Sequence, residues 1–427
     1  MWTEVSSSLL KERYFYTKHK SGLPVYVFPK RMTGTYALLS AKYGSLDDAF
    51  SIDGRAPVCV PDGVAHFLEH KLFENEDGSD SFRRFSALGA DANAYTTYNR
   101  TAYLFNCTEH FEECLEELLH FVFSPYFTDA TVKKEQGIIA EEIRMYEDHP
   151  WDRCDRNMLR AMYQKHPVRK NIAGTVSSIM KITPKLLYDC HRIFYHPSNM
   201  ALVVCGNVDR DAVLGVVERM LPQKLEEPVF QRILTDEPKS VPKHDVRERM
   251  AVAKPLFCLG FKDPSIPKEA EGRARRDAAM TLLGEILFSR SEQLYNDLFE
   301  SGCITPSFGF GYSSSESFGL QCVSGEADSP EAVRDRIFDH LDTVRKEGLS
   351  KDAFERCQRA LYSDEIRTYD SVEEIADRLL SAVFDGVELF SYPELLQSVT
   401  YEELTELLET VLRPENAVLS VIEPIQS

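Results

Sequence analysis

The sequence predicts an α+β protein built from two tandem homologous domains. Three observations lead there. The chain has 427 residues, too many for one ordinary core. Runs that alternate like strands and runs with the 3.6-residue period of helices are both present. The second half of the chain also repeats landmarks of the first.

An apolar fraction of 43% allows cores of normal size. Residues 22–48 alternate and break at glycine and proline, which predicts two or three strands. Residues 63–74 read as a helix. Residues 92–107, rich in Thr, Tyr and Phe, read as a strand pair. Residues 110–123 and 129–148 carry helical apolar spacing. The run at 199–204 is a strand of the fully buried type that closes the first half. Pro222, Pro228, Pro238 and Pro242 then dot a charged stretch, read as a linker over 222–245.

The repeat rests on three matches in the same order. Tyr195-His196-Pro197-Ser198-Asn199-Met200 is echoed by Leu412-Arg413-Pro414-Glu415-Asn416-Ala417. Ala140-Glu141-Glu142-Ile143 is echoed by Ser363-Asp364-Glu365-Ile366. Phe67-Leu68-Glu69-His70 is echoed by Leu282-Leu283-Gly284-Glu285. The separations cluster near about 215 residues, which predicts a duplicated domain. In the third match Thr281 stands for His66 and Gly284 for Glu69, so one half carries chemistry and the other only the scaffold. The expected division is 1–221 with the motif, a linker over 222–245, and 246–427 as the homologous domain lacking it.

Bulk properties exclude several classes. The net charge of −19 argues against nucleic acid and anionic membranes as partners. The N-terminus lacks a basic segment followed by an apolar one, so no signal peptide is expected. No window approaches the roughly 18 apolar residues of a spanning helix. The ten cysteines show no CxxC pair and several lie in apolar runs, so they are expected to be reduced core thiols of a cytoplasmic protein.

The chemistry concentrates at His66-Phe67-Leu68-Glu69-His70. On a helix, residues four apart share a face, so both imidazoles can reach one zinc ion. Glu69 sits at the edge of that face, where a carboxylate can take a proton from a water that the metal has acidified. Two satisfied surface histidines would produce the same string, and a catalytic zinc needs a third ligand. In the helix at 129–148, Glu135, Ile138, Ile139, Glu142 and Tyr146 fall on one stripe, expected to be buried. A buried carboxylate is costly unless it is paired or binds a metal, which singles out Glu135 and Glu142.

These motifs together resemble the pitrilysin/insulinase family of inverted-motif zinc metallopeptidases, which includes mitochondrial processing peptidase. The likeness runs over most of residues 20–215. It includes Gly89, Asn93-Ala94-Tyr95-Thr96, Thr101-Ala102-Tyr103, Gly174-Thr175 and the run from Tyr195 to Met200. The fold it implies is a pair of α/β rolls, each a mainly antiparallel sheet with helices packed on one face, the LuxS/MPP-like metalloprotease architecture. Carried over by position, His66, His70 and Glu142 are the zinc ligands, one ion per chain, and Glu69 is the general base. Glu135 supports the site, and Asn93 and Ala94 hold the substrate backbone at a sheet edge, where main-chain pairing positions an extended peptide.

One departure stands out. The family places an arginine and a tyrosine in the non-zinc domain, in a pattern like Leu-Arg-x-x-Gly-x-x-Tyr. This chain reads Leu298-Phe299-Glu300-Ser301-Gly302-Cys303-Ile304-Thr305. Phe299 and Thr305 cannot make the charge-assisted bonds expected of that pair. The resemblance therefore implies a zinc endopeptidase subunit acting on short or unfolded peptides, with a homologous chain supplying the pair. It is similar to the zinc-bearing chain of bacterial paired, processing-peptidase-like proteins. A self-sufficient homodimeric peptidase and a non-catalytic scaffold of the same fold are the alternatives.

Overall fold

A computed structural model of the chain describes residues 1–221 and 223–425. Pro222, the first residue of the expected linker, lies outside them, as do Gln426 and Ser427 of the expected second domain. The strands, in chain order, are β1 (Thr3–Ser7), β2 (Glu12–Lys18), β3 (Pro24–Pro29), β4 (Thr35–Ala41), β5 (Ala49–Ile52), β6 (Val58–Cys59), β7 (Asp91–Thr96) and β8 (Thr101–Cys107). They continue with β9 (Met200–Gly206), β10 (Phe230–Arg232), β11 (Asp245–Met250), β12 (Leu256–Lys262), β13 (Gly309–Ser314), β14 (Gly319–Glu326) and β15 (Ala417–Pro424).

Two compact units form. The first holds a seven-stranded sheet in the order β1-β2-β3-β9-β4-β8-β7 and a small sheet β10-β5-β6. In the large sheet only β3 and β9 pair in parallel. The second unit holds a five-stranded sheet, β11-β15-β12-β14-β13, in which only β11 and β15 are parallel. The five-strand order of the second unit reproduces β3-β9-β4-β8-β7 of the first, pair by pair. The duplication seen as three sequence matches is therefore a duplication of topology.

Alternation explains how the sheets are covered. In the first unit Ala37, Leu39, Leu202, Val204, Tyr103 and Phe105 face helices of the first half, Val64–Leu72 and Phe111–Phe123 among them. Their neighbours Tyr36, Leu38, Ala201, Val203 and Ala102 are equally apolar and point the other way. That second face must also be buried, and a helix from the other half of the sequence does it. Ile375, Ala376, Leu379 and Leu380 of Val372–Asp385 pack there. The second unit mirrors this, with Cys154, Met158 and Met162 of the helix Pro150–Met162 buried. Gly260 on β12 has no room for a Cβ, which would lie 2.4 Å from Met158 Sδ.

The compact units are consequently discontinuous, which the expected limits 1–221 and 246–427 do not include. The first takes residues 1–143, 171–233 and 366–390; the second takes 144–170, 234–365 and 391–427. The stretch read as a linker is also anchored rather than free. Its β10 pairs with β5. Farther along, the Glu237 carboxylate accepts the backbone N–H groups of Gln164, Lys165 and His166 and pairs with the buried Lys262. Proline spacing reports where a chain cannot run as regular helix, but not whether it is tied down.

Candidate metal centre

The helix Val64–Leu72 buries Val64, Phe67, Leu68, Lys71 and Leu72. That leaves His66, Glu69 and His70 on the opposite, half-buried side. Its start is held by two glycines in the left-handed region, Gly63 at φ 95° and Gly174 at φ 78°. A Cβ on Gly63 would lie 2.5 Å from the Ala173 carbonyl oxygen, and one on Gly174 2.4 Å from that of Asp62. Ser178 Oγ donates to the same Asp62 carbonyl at 2.7 Å. Glycine at both positions lets the two backbones touch, which sets where the histidine helix begins.

The second set of groups comes from the helix Asp129–Glu147, where Val132, Glu135, Ile139, Ala140 and Ile143 are buried. Ile138 and Tyr146, expected on the buried stripe, are 47% and 40% exposed. At about 100° per residue, the buried arc centres near Ile139 and Ile143, rotated by roughly 60° from the expected stripe. Ile138 falls outside that arc, and Tyr146 lies in the last turn. The same rotation leaves Glu135 inside and puts Glu142 on the rim, where its carboxylate reaches the histidines.

His66, His70 and Glu142 meet, with their ligand atoms all within 4.8 Å of one another. Glu142 Oε1 lies 3.5 Å from His66 Nε2, and Glu142 Oε2 lies 3.3 Å from His70 Nε2. Ligands about 2.0–2.1 Å from a tetrahedral zinc are separated by roughly 3.3 Å, so these two spacings, one to each Glu142 oxygen, are compatible with a shared ion. Glu142 Oε2 is buried without a well-directed hydrogen bond, as is His66 Nδ1. A carboxylate whose two oxygens each face an imidazole nitrogen fits a cation. His70 turns its other nitrogen, Nδ1, to Glu135 Oε1 at 3.0 Å. Burial alone would lower the His70 imidazole, but its hydrogen bond to Glu135 and the nearby Glu142 carboxylate raise it to about 10. For Glu142, burial pushes upward and the two imidazoles push harder downward, holding it well below the usual carboxylate range.

Glu69 is reached by a residue that the sequence reading left without a role. Thr96 Oγ1 donates to Glu69 Oε2 at 2.5 Å. The available signal was strand alternation, which places Thr96 on the same face of β7 as Ala94. Asn93 and Ala94 lie on β7, the free edge of the seven-stranded sheet, and Ala94 N–H donates to Asn93 Oδ1 at 2.9 Å. Phe299 is 45% exposed and stacks on Tyr295, with ring centroids 5.8 Å apart. Thr305 Oγ1 donates to Glu326 at 3.1 Å.

Comparison with known proteins places the chain. Residues 61–176 match the family described as Insulinase (Peptidase family M16), and residues 181–361 match the Peptidase M16 inactive domain. The uncharacterized zinc protease YmfH of Bacillus subtilis (strain 168) is 37% identical over 419 residues, 97% of each chain. The chain belongs to the insulinase family, peptidase family M16. A crystal structure from Alicyclobacillus acidocaldarius, described as an M16-like peptidase, shares 35% identity at a TM-score of 0.93, covering 96% of this chain and 98% of that one. The fold is also that of the periplasmic protease PqqL from Escherichia coli, at 17% identity and a TM-score of 0.74. There the M16 chain is covered over 97% of its length but spans only 48% of its neighbour. All seven predicted site residues fall inside the 61–176 match. Among the described residues of this M16 chain, no helix is long and apolar enough to cross a membrane.

Proposed function

We propose that this M16 chain is a zinc endopeptidase subunit that hydrolyses short or unfolded peptides together with a homologous chain. The observation that carries the reading is the convergence of His66, His70 and Glu142 within 4.8 Å, beside Glu69 on the same helix face. His66 Nε2, His70 Nε2 and a Glu142 oxygen would hold one zinc ion. Zinc, when bound, lowers the pKa of water and stabilises a developing oxyanion.

The chain's own residues supply the rest. Glu135 donates nothing to the metal; it holds His70 by Nδ1, which presents Nε2 to the site. Glu69 takes the proton of the attacking water and returns it to the leaving amine. The open edge of β7 at Asn93 and Ala94 pairs with an extended peptide through main-chain bonds. Phe299 and Thr305 stand where the family's arginine and tyrosine would orient the substrate carbonyl, so a second chain is expected to provide them. PqqL, about twice this length, supports a two-module enzyme. The ten free cysteines fit a reducing compartment, and we place the protein in the cytoplasm.

Phe299, Thr305 and the match to a domain described as inactive favour one other reading, a non-catalytic scaffold of the same fold. Cleavage of a quenched-fluorescence peptide library separates the cases. Activity only on mixing with a homologous chain that carries the Arg/Tyr pattern supports the proposal. Activity of the chain alone supports a homodimer, and zinc binding without activity in either arrangement supports the scaffold.

A further inference from the structure

We infer that Thr96 is a positioning residue for Glu69, bolting the carboxylate of the general base to the sheet. The inference rests on the reading of Glu69 as that base. Among the described residues, Thr96 Oγ1 is the one hydrogen-bond donor to Glu69, at 2.5 Å to Oε2. A glutamate on the outer side of a helix otherwise keeps three free side-chain torsions. With Oε2 held, Oε1 has no hydrogen-bond donor among the described residues. One oxygen fixed and one free is the arrangement a base needs to meet a water in a constant place.

Thr96 is itself well held. It lies on β7 directly opposite Thr101 of β8, and its side chain is on the face that packs Ala92 and Ala94 against the core. The Thr96 and Thr101 hydroxyl oxygens are 3.3 Å apart. Thr101 is fully buried and donates its single proton to the Tyr43 carbonyl at 2.9 Å. That leaves the Thr96 proton for Glu69, a charged and therefore stronger acceptor. Below them the buried hydroxyls of Tyr103 and Tyr195 are paired at 2.8 Å. The chain of contacts runs from the histidine helix through Thr96 and Thr101 into the rigid centre of the sheet. Tyr95, the neighbouring residue, points to the opposite face, where its hydroxyl donates to Asp377 at 3.2 Å. The edge strand is therefore pinned on both sides, and Thr96 transmits that rigidity to Glu69.

The test uses Thr96→Val, nearly the same shape without the hydroxyl, and Thr96→Ser, which keeps it. Both are assayed in whichever arrangement of chains gives wild-type turnover, beside Glu69→Gln. Thr96→Val is expected to lower kcat by about ten- to a hundredfold, with KM within about twofold. Metal content and melting temperature should be unchanged, and Thr96→Ser should restore most of the rate. Crystal structures of the wild type and Thr96→Val give a readout independent of turnover: Glu69 in one hydrogen-bonded conformer in the first, spread over several in the second. The inference is overturned if Glu69 keeps its position in Thr96→Val. It is also overturned if the variant raises KM at constant kcat, which would make Thr96 part of the substrate edge, or if it loses metal or melts early, which would make its role structural. An active Glu69→Gln would instead remove the base itself, whatever Thr96 does.

Discussion

Replacing Glu135 by glutamine isolates the contribution of the carboxylate behind the metal ligands. Glu135 Oε1 lies 3.0 Å from His70 Nδ1, and its side chain is only 11% exposed, so solvent screens the pair weakly. Glutamine keeps the shape and still offers an oxygen to Nδ1–H, but removes the charge. A charge-assisted hydrogen bond contributes about 1.5–3 kcal/mol and a neutral one about 0.5–1.5, so roughly 1–1.5 kcal/mol is lost. A second effect opposes this one. Glu135 also helps to hold a proton on His70, which a metal must displace, so the variant binds that proton less tightly. Both the proton and the metal place positive charge on the imidazole, and the doubly charged ion gains more from Glu135 than the proton does. The net expectation is a loss of a few-fold in zinc affinity, with about tenfold, the lower end of what such outer partners usually contribute, as its ceiling. A competition titration against a chromophoric chelator measures it. Unchanged affinity in Glu135→Gln would refute the reasoning. So would complete loss of zinc, as expected for His66→Ala, because Glu135 would then be a ligand.

Two other outcomes follow from the same geometry. In the metal-free protein His70 is raised above its usual value near 6.5, so its stabilising contribution is whole below that value and is lost as pH climbs through about 10. Glu142 is depressed, so its contribution is present above the usual carboxylate value near 4.5 and fades as pH falls below it. Melting temperature against pH should fall at both ends, and Glu142→Gln should flatten the acid side. Separately, Leu379→Ala empties part of the core that Val372–Asp385 makes on the first unit's sheet and should cost about 2–5 kcal/mol in urea unfolding. A loss under about 0.5 kcal/mol, the scale of surface substitutions, would contradict that placement.

The parts legible in the sequence are those that local periodicity encodes. Spacing alone put His66 and His70 on one helix face, with Glu69 at its edge. The cost of burying a carboxylate singled out Glu135 and Glu142, and the contacts of both with His70 follow that logic. The same stripe, however, carried Ile138 and Tyr146 to the surface, because the centre of a buried arc is set by what packs on the helix and not by its own pattern. The apolar residues at 199–204 read as a strand of the fully buried type, and β9 is buried along its whole length. They did not say by what, and the covering segments, Val372–Asp385 for one sheet and Pro150–Met162 for the other, lie far away in the chain. The Thr96 contact was equally hidden, since only the packing of β7 under the histidine helix brings that hydroxyl to Glu69.

The central claim is that His66, His70 and Glu142 form a zinc site. Anomalous diffraction at the zinc absorption edge from crystals of the zinc-loaded chain addresses it directly. The expected result is a single strong peak within bonding distance of both Nε2 atoms and a Glu142 oxygen, absent in His66→Ala. No peak there, or a peak that persists in His66→Ala, would contradict the account.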